Sequence, residues 1–169
     1  MSLEAQNPVD FDDLYRDLIL DHYRRPRHKG ALETATVAAE GLNPSCGDEI
    51  RVELQVEDSR LVNIAFSGMG CSISQASASM MAGESEERPL AEIDQLSRHV
   101  QEMLTHEEFD LDAVEIGDLE SLQGVAKFPV RIKCALLAWK VLDMALAEAR
   151  GETTIAGDSD IPIRIASTS

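Results

Sequence analysis

At 169 residues with 44% hydrophobic side chains, the chain has the length and apolar content of one domain with one core. Thirty-one acidic against fifteen basic residues give a formal charge of −16, which repels phosphate backbones and anionic lipid and argues against nucleic acid as a partner. No apolar run approaches the roughly 18 to 20 residues of a membrane span, and the opening Met-Ser-Leu-Glu-Ala-Gln-Asn lacks the basic-then-apolar order of a signal peptide. The expectation is no membrane and a cytoplasmic location.

From about Asp10 to Arg25, Phe11, Leu14, Tyr15, Leu18, Ile19 and His22 recur at helical spacing and predict an amphipathic helix with a Pro-containing basic exit. The Arg24, Arg25, Arg27, His28 and Lys29 cluster that follows reads either as a solvated helix end complementing the dipole or as a docking patch for an acidic partner. The period then shortens to two. A strand near Val37 to Gly41 is followed by Ile50, Val52, Leu54 and Val56, and, after an Asp58-Ser59 turn, by Val62, Ile64 and Phe66. A three-stranded antiparallel sheet is expected, its loop 43–48 carrying Cys46 and its exit, Ser67 to Gly70, leading into Cys71.

After Cys71 a run of Ser, Ala and Met predicts a short helix that packs closely, with Ser72 or Ser74 as its cap. Cys71 then lies at a helix N-terminus, where backbone N–H groups and the dipole favour a thiolate. Residues 84–120 hold thirteen acidic residues against Arg88 and Arg98, about −11 of the total, and read as a wet face. Within them a helix over Pro89 to Leu104, a break at Thr105 to Leu111 and a helical turn near Asp112 to Leu122 are expected. A last helix, Val130 to Arg150, turns Ile132, Leu136, Leu137, Trp139, Val141, Leu142 and Leu146 to the core and ends at Gly151. The expected fold is α+β, a small three-stranded antiparallel sheet against about five helices. It comprises one domain over residues 1–150 and a polar, loosely held tail over 151–169.

Three cysteines at wide spacing do not make a disulfide framework; in a reducing compartment they are metal ligands, catalytic thiols or core filler. With Asp48, the thiols of Cys46, Cys71 and Cys134 are four candidate donors for one tetrahedral zinc ion or for an iron–sulfur cluster. The spacings of 2, 23 and 63 residues are not those of paired Cys-x-x-Cys knuckles, so three unrelated buried cysteines remain the alternative at this point. Gly47, Gly68 and Gly70 allow close backbone approach, and Cys71 and Cys134 both fall at predicted helix starts. A carboxylate is the hard member of such a soft set and its more exchangeable ligand. Arg131, one turn before Cys134 on the same helical face, either offsets a site whose formal charge with zinc is about −2 or is a solvated first-turn arginine.

Asn43-Pro-Ser-Cys-Gly-Asp48, Gly68-Met-Gly-Cys-Ser-Ile-Ser74, Arg131-Ile-Lys-Cys134 and the Leu14 to Arg27 segment together resemble the IscU/NifU N-terminal family of iron–sulfur assembly proteins, over about residues 8 to 150. The closer resemblance is to its SufU branch, because Lys133 stands where IscU scaffolds carry a His and the stretch between Cys71 and Cys134 is longer. The resemblance implies zinc held by Cys46, Asp48, Cys71 and Cys134, and persulfide sulfur received on Cys46 from a SufS-type cysteine desulfurase by ligand exchange. It implies Cys46 as the sulfur acceptor and other cluster-assembly proteins as further partners; Arg131, on its spacing from Cys134 alone, joins Cys46 as a catalytic candidate. The alternative it leaves is a scaffold that builds and passes on a transient iron–sulfur cluster on the same ligands. His22, His28, His99 and His106 fall outside the three cysteine motifs and are expected in core or surface roles.

Overall fold

A computed structural model describes residues 11–105, 116–152 and 162–168. The side chains of Phe11 and Leu14, and His106, lie outside the described residues, as does the expected break at Thr105 to Leu111 apart from Thr105, which ends α3. The elements run α1 (Phe11–Arg24), β1 (Val37–Asn43), β2 (Asp48–Glu57), β3 (Arg60–Met69), α2 (Ser72–Ser85), α3 (Leu90–Thr105), a 3₁₀ helix (Gly117–Lys127), α4 (Pro129–Ala149) and β4 (Ile163–Ala166). The architecture is α+β with five helical segments among the described residues, as many as expected, the 3₁₀ helix running to Lys127 where a turn near Asp112 to Leu122 was expected. No helix among the described residues is long and apolar enough to cross a membrane.

The sheet has four strands in the order β3-β2-β1-β4, all antiparallel, where three were expected. The added strand comes from the segment expected as a loose tail. Ala38 to Gly41 of β1 pair with Ala166 to Ile163, Ile163 packs on the core, and Arg164 bonds Glu40. Four residues with two isoleucines are too short a run to announce a strand by period; the unsatisfied edge of β1 is what recruits them.

Asp58 and Ser59 form the expected two-residue hairpin turn, both at positive φ (53° and 61°), which suits the twist of the flanking strands. The expected inward row on β3 is corrected at one position. Val56 pairs with Leu61 and Gln55 with Asn63, so Val62 is an extra residue in a bulge. It is 38% exposed, and Leu61 takes the buried place.

The inner face of the sheet, with Ala39, Ile50, Val52, Leu54, Leu61, Ile64 and Phe66, packs against α2 and α4. A Cβ at Gly41 would stand 2.6 Å from Val141 Cγ2, so this glycine lets α4 lie directly on β1. Helix α2 is built of small residues and buried along most of its length, which allows α1, α4 and the 3₁₀ helix to close around it. Ser77 Oγ donates to Ala135 O at 2.7 Å and accepts from Trp139 Nε1 at 3.1 Å, pinning α2 to α4 beside Cys134. On the other flank His22 is buried between Ser79 Oγ (2.8 Å) and Asp118 Oδ2 (3.0 Å), a core role that ties α1 to α2 and to the 3₁₀ helix. Arg25 and Arg27 both pair with Asp21, which satisfies much of the basic helix exit locally.

Candidate metal centre

One end of the sheet gathers the cysteines. Pro44 has no N–H to continue the ladder and holds Asn43 extended, so β1 stops there. A four-residue loop, Pro44 to Gly47, returns the chain to Asp48, paired across from Asn43. Gly47 takes φ +72°, the left-handed conformation that closes the loop. Cys46 sits on the exposed crest of this loop.

Its Sγ lies 3.3 Å from Cys134 Sγ, and one donor atom each from Cys46, Asp48 and Cys134 fall within 4.8 Å of one another. Cys134 is wholly buried, on the inward side of the second turn of α4. Asp48 is 1% exposed. Its Oδ1 accepts from the Cys71 N–H at 3.0 Å, and its Oδ2 is buried without a protein donor. Cys71 is itself the cap of α2, its Sγ accepting from the Ser74 N–H at 3.5 Å, rather than Ser72 or Ser74. It is bound to the cluster through Asp48, although its Sγ is not within the same 4.8 Å group.

Gly70 makes that arrangement possible. A Cβ there would lie 2.6 Å from Asp48 Oδ1 and against Ser74 Oγ, closer than side-chain carbons and oxygens approach. At Gly68 a Cβ would collide with the Glu49 carbonyl across the ladder.

The electrostatics of the set call for a cation. Burial raises the Cys46 thiol above its ordinary pKa, and Asp48 and Cys71 raise it further, against a lowering contact from Cys134. Cys134 is pushed well above the thiol range, first by burial, then by the neighbouring Cys46, Cys71 and Asp48. A buried carboxylate oxygen with no donor, beside soft sulfur ligands that resist ionising alone, matches the donor chemistry of a thiolate-binding divalent ion. The residues therefore fit a metal site, with Cys46 as its exposed donor.

Arg131 is exposed in the first turn of α4, one turn from Cys134, and makes no ion pair among the described residues. Lys133, half-buried, offers an ammonium in place of an imidazole ligand. His28 pairs with Glu86 at 3.5 Å and is not among the grouped donors.

Asn43 stood in the quoted motifs without a role of its own, and Ser74 only as a candidate cap. Asn43, 1% exposed, sends its Nδ2 to Cys46 Sγ at 3.0 Å. Ser74 bonds the Cys71 carbonyl through its Oγ and the Cys71 sulfur through its N–H. The Asn-Pro pair before Cys46 is the sequence signal for the first, since Asn commonly caps such turns. The second follows from the helix start.

The model of the family described as NifU-like N terminal domain matches residues 14–154. The zinc-dependent sulfurtransferase SufU of Bacillus subtilis (strain 168) is 42% identical over 143 residues, 85% of this chain and 96% of that protein. The iron–sulfur cluster assembly scaffold protein IscU of Streptococcus pyogenes serotype M1 is 42% identical over 137 residues, 79% of this chain and 82% of its own length. Among solved structures, a candidate iron–sulfur cluster assembly scaffold protein for the SUF system from Fervidobacterium islandicum AW-1 superposes with a TM-score of 0.71 at 32% identity, over 77% of this chain and 94% of that one.

Proposed function

The chain belongs to the NifU-like N-terminal domain family, and on that premise we propose that it is a zinc-dependent sulfur acceptor of iron–sulfur cluster biogenesis, taking sulfur on Cys46 from the persulfide of a SufS-type cysteine desulfurase. The observation that carries this reading is the unequal exposure of the donors. Cys46 is exposed on a loop crest while Cys134 and Asp48 are buried and Cys71 is half-buried. A scheme in which one thiol leaves its fellows to react with a partner needs that asymmetry.

Cys46, Asp48, Cys71 and Cys134 would hold the zinc, with Asp48 Oδ2 the oxygen free to face it. Bound there, zinc supplies the positive charge that keeps these thiols ionised despite their burial. The Cys46 thiolate attacks the outer sulfur of the desulfurase persulfide. A new S–S bond forms on Cys46, the persulfide S–S bond breaks, and the desulfurase cysteine departs as its thiolate. The protein needs no general base for this step, in keeping with the engagement of His22 by Ser79 and of His28 by Glu86. Arg131, exposed one turn before Cys134, would offset the surplus negative charge of the donor set. Met69, Phe128 and Val130, 66%, 61% and 80% exposed, flank the cysteine segments in sequence and offer apolar area for docking.

The 42% identity to the relative named a zinc-dependent sulfurtransferase supports this reading. The scaffold reading has a specific observation in its favour, the similar identity to a relative named a scaffold; there the cluster is cargo, and other cluster-assembly proteins receive it. Lys133 in place of a fourth soft or imidazole ligand weighs against it. The deciding experiment pairs the protein with a SufS-type desulfurase. Cys46→Ala is expected to stay folded and to stop stimulating cysteine turnover; full stimulation by that variant overturns the sulfur-acceptor reading. Anaerobic reconstitution that gives a transferable cluster would support the scaffold instead.

A further inference from the structure

We propose that Asn43 is the positioning residue of the acceptor thiol: its side-chain amide sets where Cys46 Sγ points and remains its hydrogen-bond donor. The acceptor role of Cys46 is taken from the function proposed above; the Asn43 contact is a matter of geometry alone.

Asn43 ends β1 and has its side chain 1% exposed beneath the loop. Both of the side-chain hydrogen bonds it makes among the described residues go to that loop. Oδ1 accepts from the Ser45 N–H at 3.1 Å, and Nδ2 donates to Cys46 Sγ at 3.0 Å. Its backbone carbonyl accepts from the N–H groups of Cys46 (3.3 Å) and Gly47 (2.8 Å). The amide cannot be reversed at no cost: the Ser45 N–H requires an acceptor, which leaves the NH₂ group for sulfur. One buried residue thus determines both the loop and the direction of the sulfur it carries.

The rest of the surroundings would not do this. Asp48 offers Cys46 negative charge and an acceptor, and Cys134 offers a second sulfur at 3.3 Å. Asn43 Nδ2 is the nitrogen donor that the Cys46 sulfur meets among the described residues. It is neutral and sits on a strand rather than on the loop, so its place is set by the sheet and not by the loop crest that carries the sulfur. A neutral donor steadies a thiolate in the donor set without adding a charge that would bind it there. The same bond limits the directions in which the sulfur can meet an incoming persulfide, and orientation of this kind is a large contributor to transfer rates.

Two variants of the full chain test it. Asn43→Ser keeps a hydroxyl acceptor for the Ser45 N–H, as Ser does in turns of this kind, and its side chain, shorter by one bond, draws the donor back from the sulfur. Asn43→Asp keeps the shape and turns an acceptor toward sulfur. With cobalt(II) bound in place of zinc, a hydrogen bond to a ligating thiolate lowers the energy of its electrons, so its loss shifts the sulfur-to-cobalt charge-transfer band to longer wavelength. Both variants are expected to bind one cobalt with this shift. In a Cys46→Ala background the Asn43→Ser change is expected to leave the band unmoved, assigning the shift to Cys46. Sulfur loading of Cys46 from a desulfurase and cysteine is expected to slow about tenfold in Asn43→Ser at saturating acceptor, equivalent to about 1.4 kcal/mol, with the KM for the acceptor unchanged. An unmoved band or a parental loading rate in a folded Asn43→Ser protein overturns the proposal. If the parent itself takes up no sulfur, the acceptor reading falls, and the cobalt band alone decides whether Asn43 holds Cys46.

Discussion

Adding one methyl group at Gly70 is expected to damage the metal site without touching a ligand. The Cβ of Gly70→Ala would stand 2.6 Å from Asp48 Oδ1 and 3.0 Å from its Cγ, and would press on Ser74 Oγ as well. Neither neighbour moves freely. Oδ1 holds the Cys71 N–H at 3.0 Å, in a carboxylate that is 1% exposed, and Ser74 Oγ holds the Cys71 carbonyl at 3.1 Å. Relief therefore breaks the Asp48–Cys71 link, a hydrogen bond to a charged group worth about 1.5–3 kcal/mol. Loss of such an outer partner weakens metal binding by about 10- to 100-fold, and the two figures agree at about 1.4 kcal/mol per factor of ten. Zinc affinity measured by competition with a chromophoric chelator, with circular dichroism to verify folding, reads the effect. Gly83→Ala is the control: it lies in α2, with no atom within 4 Å of the added carbon, and is expected to keep parental affinity. Parental affinity in Gly70→Ala would refute the account of how Asp48 is held.

The two closest sulfurs are expected to differ in structural weight. In metal-free protein, Cys46→Ala, on an exposed loop, should change stability by no more than about 0.5 kcal/mol, whereas Cys134→Ala at a fully buried position should cost about 1 kcal/mol or more by urea unfolding. Equal costs would contradict the assigned exposures. Metal-free stability should also fall in alkali. The Cys46 and Cys134 thiols are raised above their unfolded value of about 8.5, so their contribution is complete below that pH and is lost as pH climbs toward the folded values. Reduced, chelator-treated protein should therefore show a lower urea midpoint at a pH of about 9.5 than at about 7, and a smaller drop in Cys134→Ala; the same drop in both proteins would remove the thiols as its cause. Gly41→Ala, whose Cβ would meet Val141 Cγ2 at 2.6 Å, is expected to cost about 1–3 kcal/mol of overpacking strain, read as a lowered melting temperature.

Much of this molecule could be read from the sequence because its signals are local. The alternation of Ile50, Val52 and Leu54 gave their buried row directly, and Pro129 announced the start of α4. The Asp58-Ser59 pair marked its turn. What escaped is non-local. The bulge that turns Val62 outward depends on how β2 and β3 pair, and strand β4 exists because β1 offers an edge to a short segment far along the chain. The gathering of Cys46, Asp48 and Cys134 follows from α4 crossing β1 at Gly41 and from the Ser77 clasp to Ala135, neither of which spacing can express. Asn43 was visible as a residue, but its sulfur contact was not, because a hydrogen bond to Cys46 depends on the turn that Pro44 to Gly47 make.

The central claim, that the exposed thiol of this donor set accepts sulfur, is open to direct measurement. The zinc-loaded protein is incubated with a SufS-type desulfurase and cysteine, separated without reductant, and mapped by peptide mass spectrometry. One added sulfur atom on Cys46, with Cys71 and Cys134 unmodified, is the expected result. Sulfur found on Cys71 or Cys134 instead, or on no cysteine while the desulfurase turns over, would contradict it.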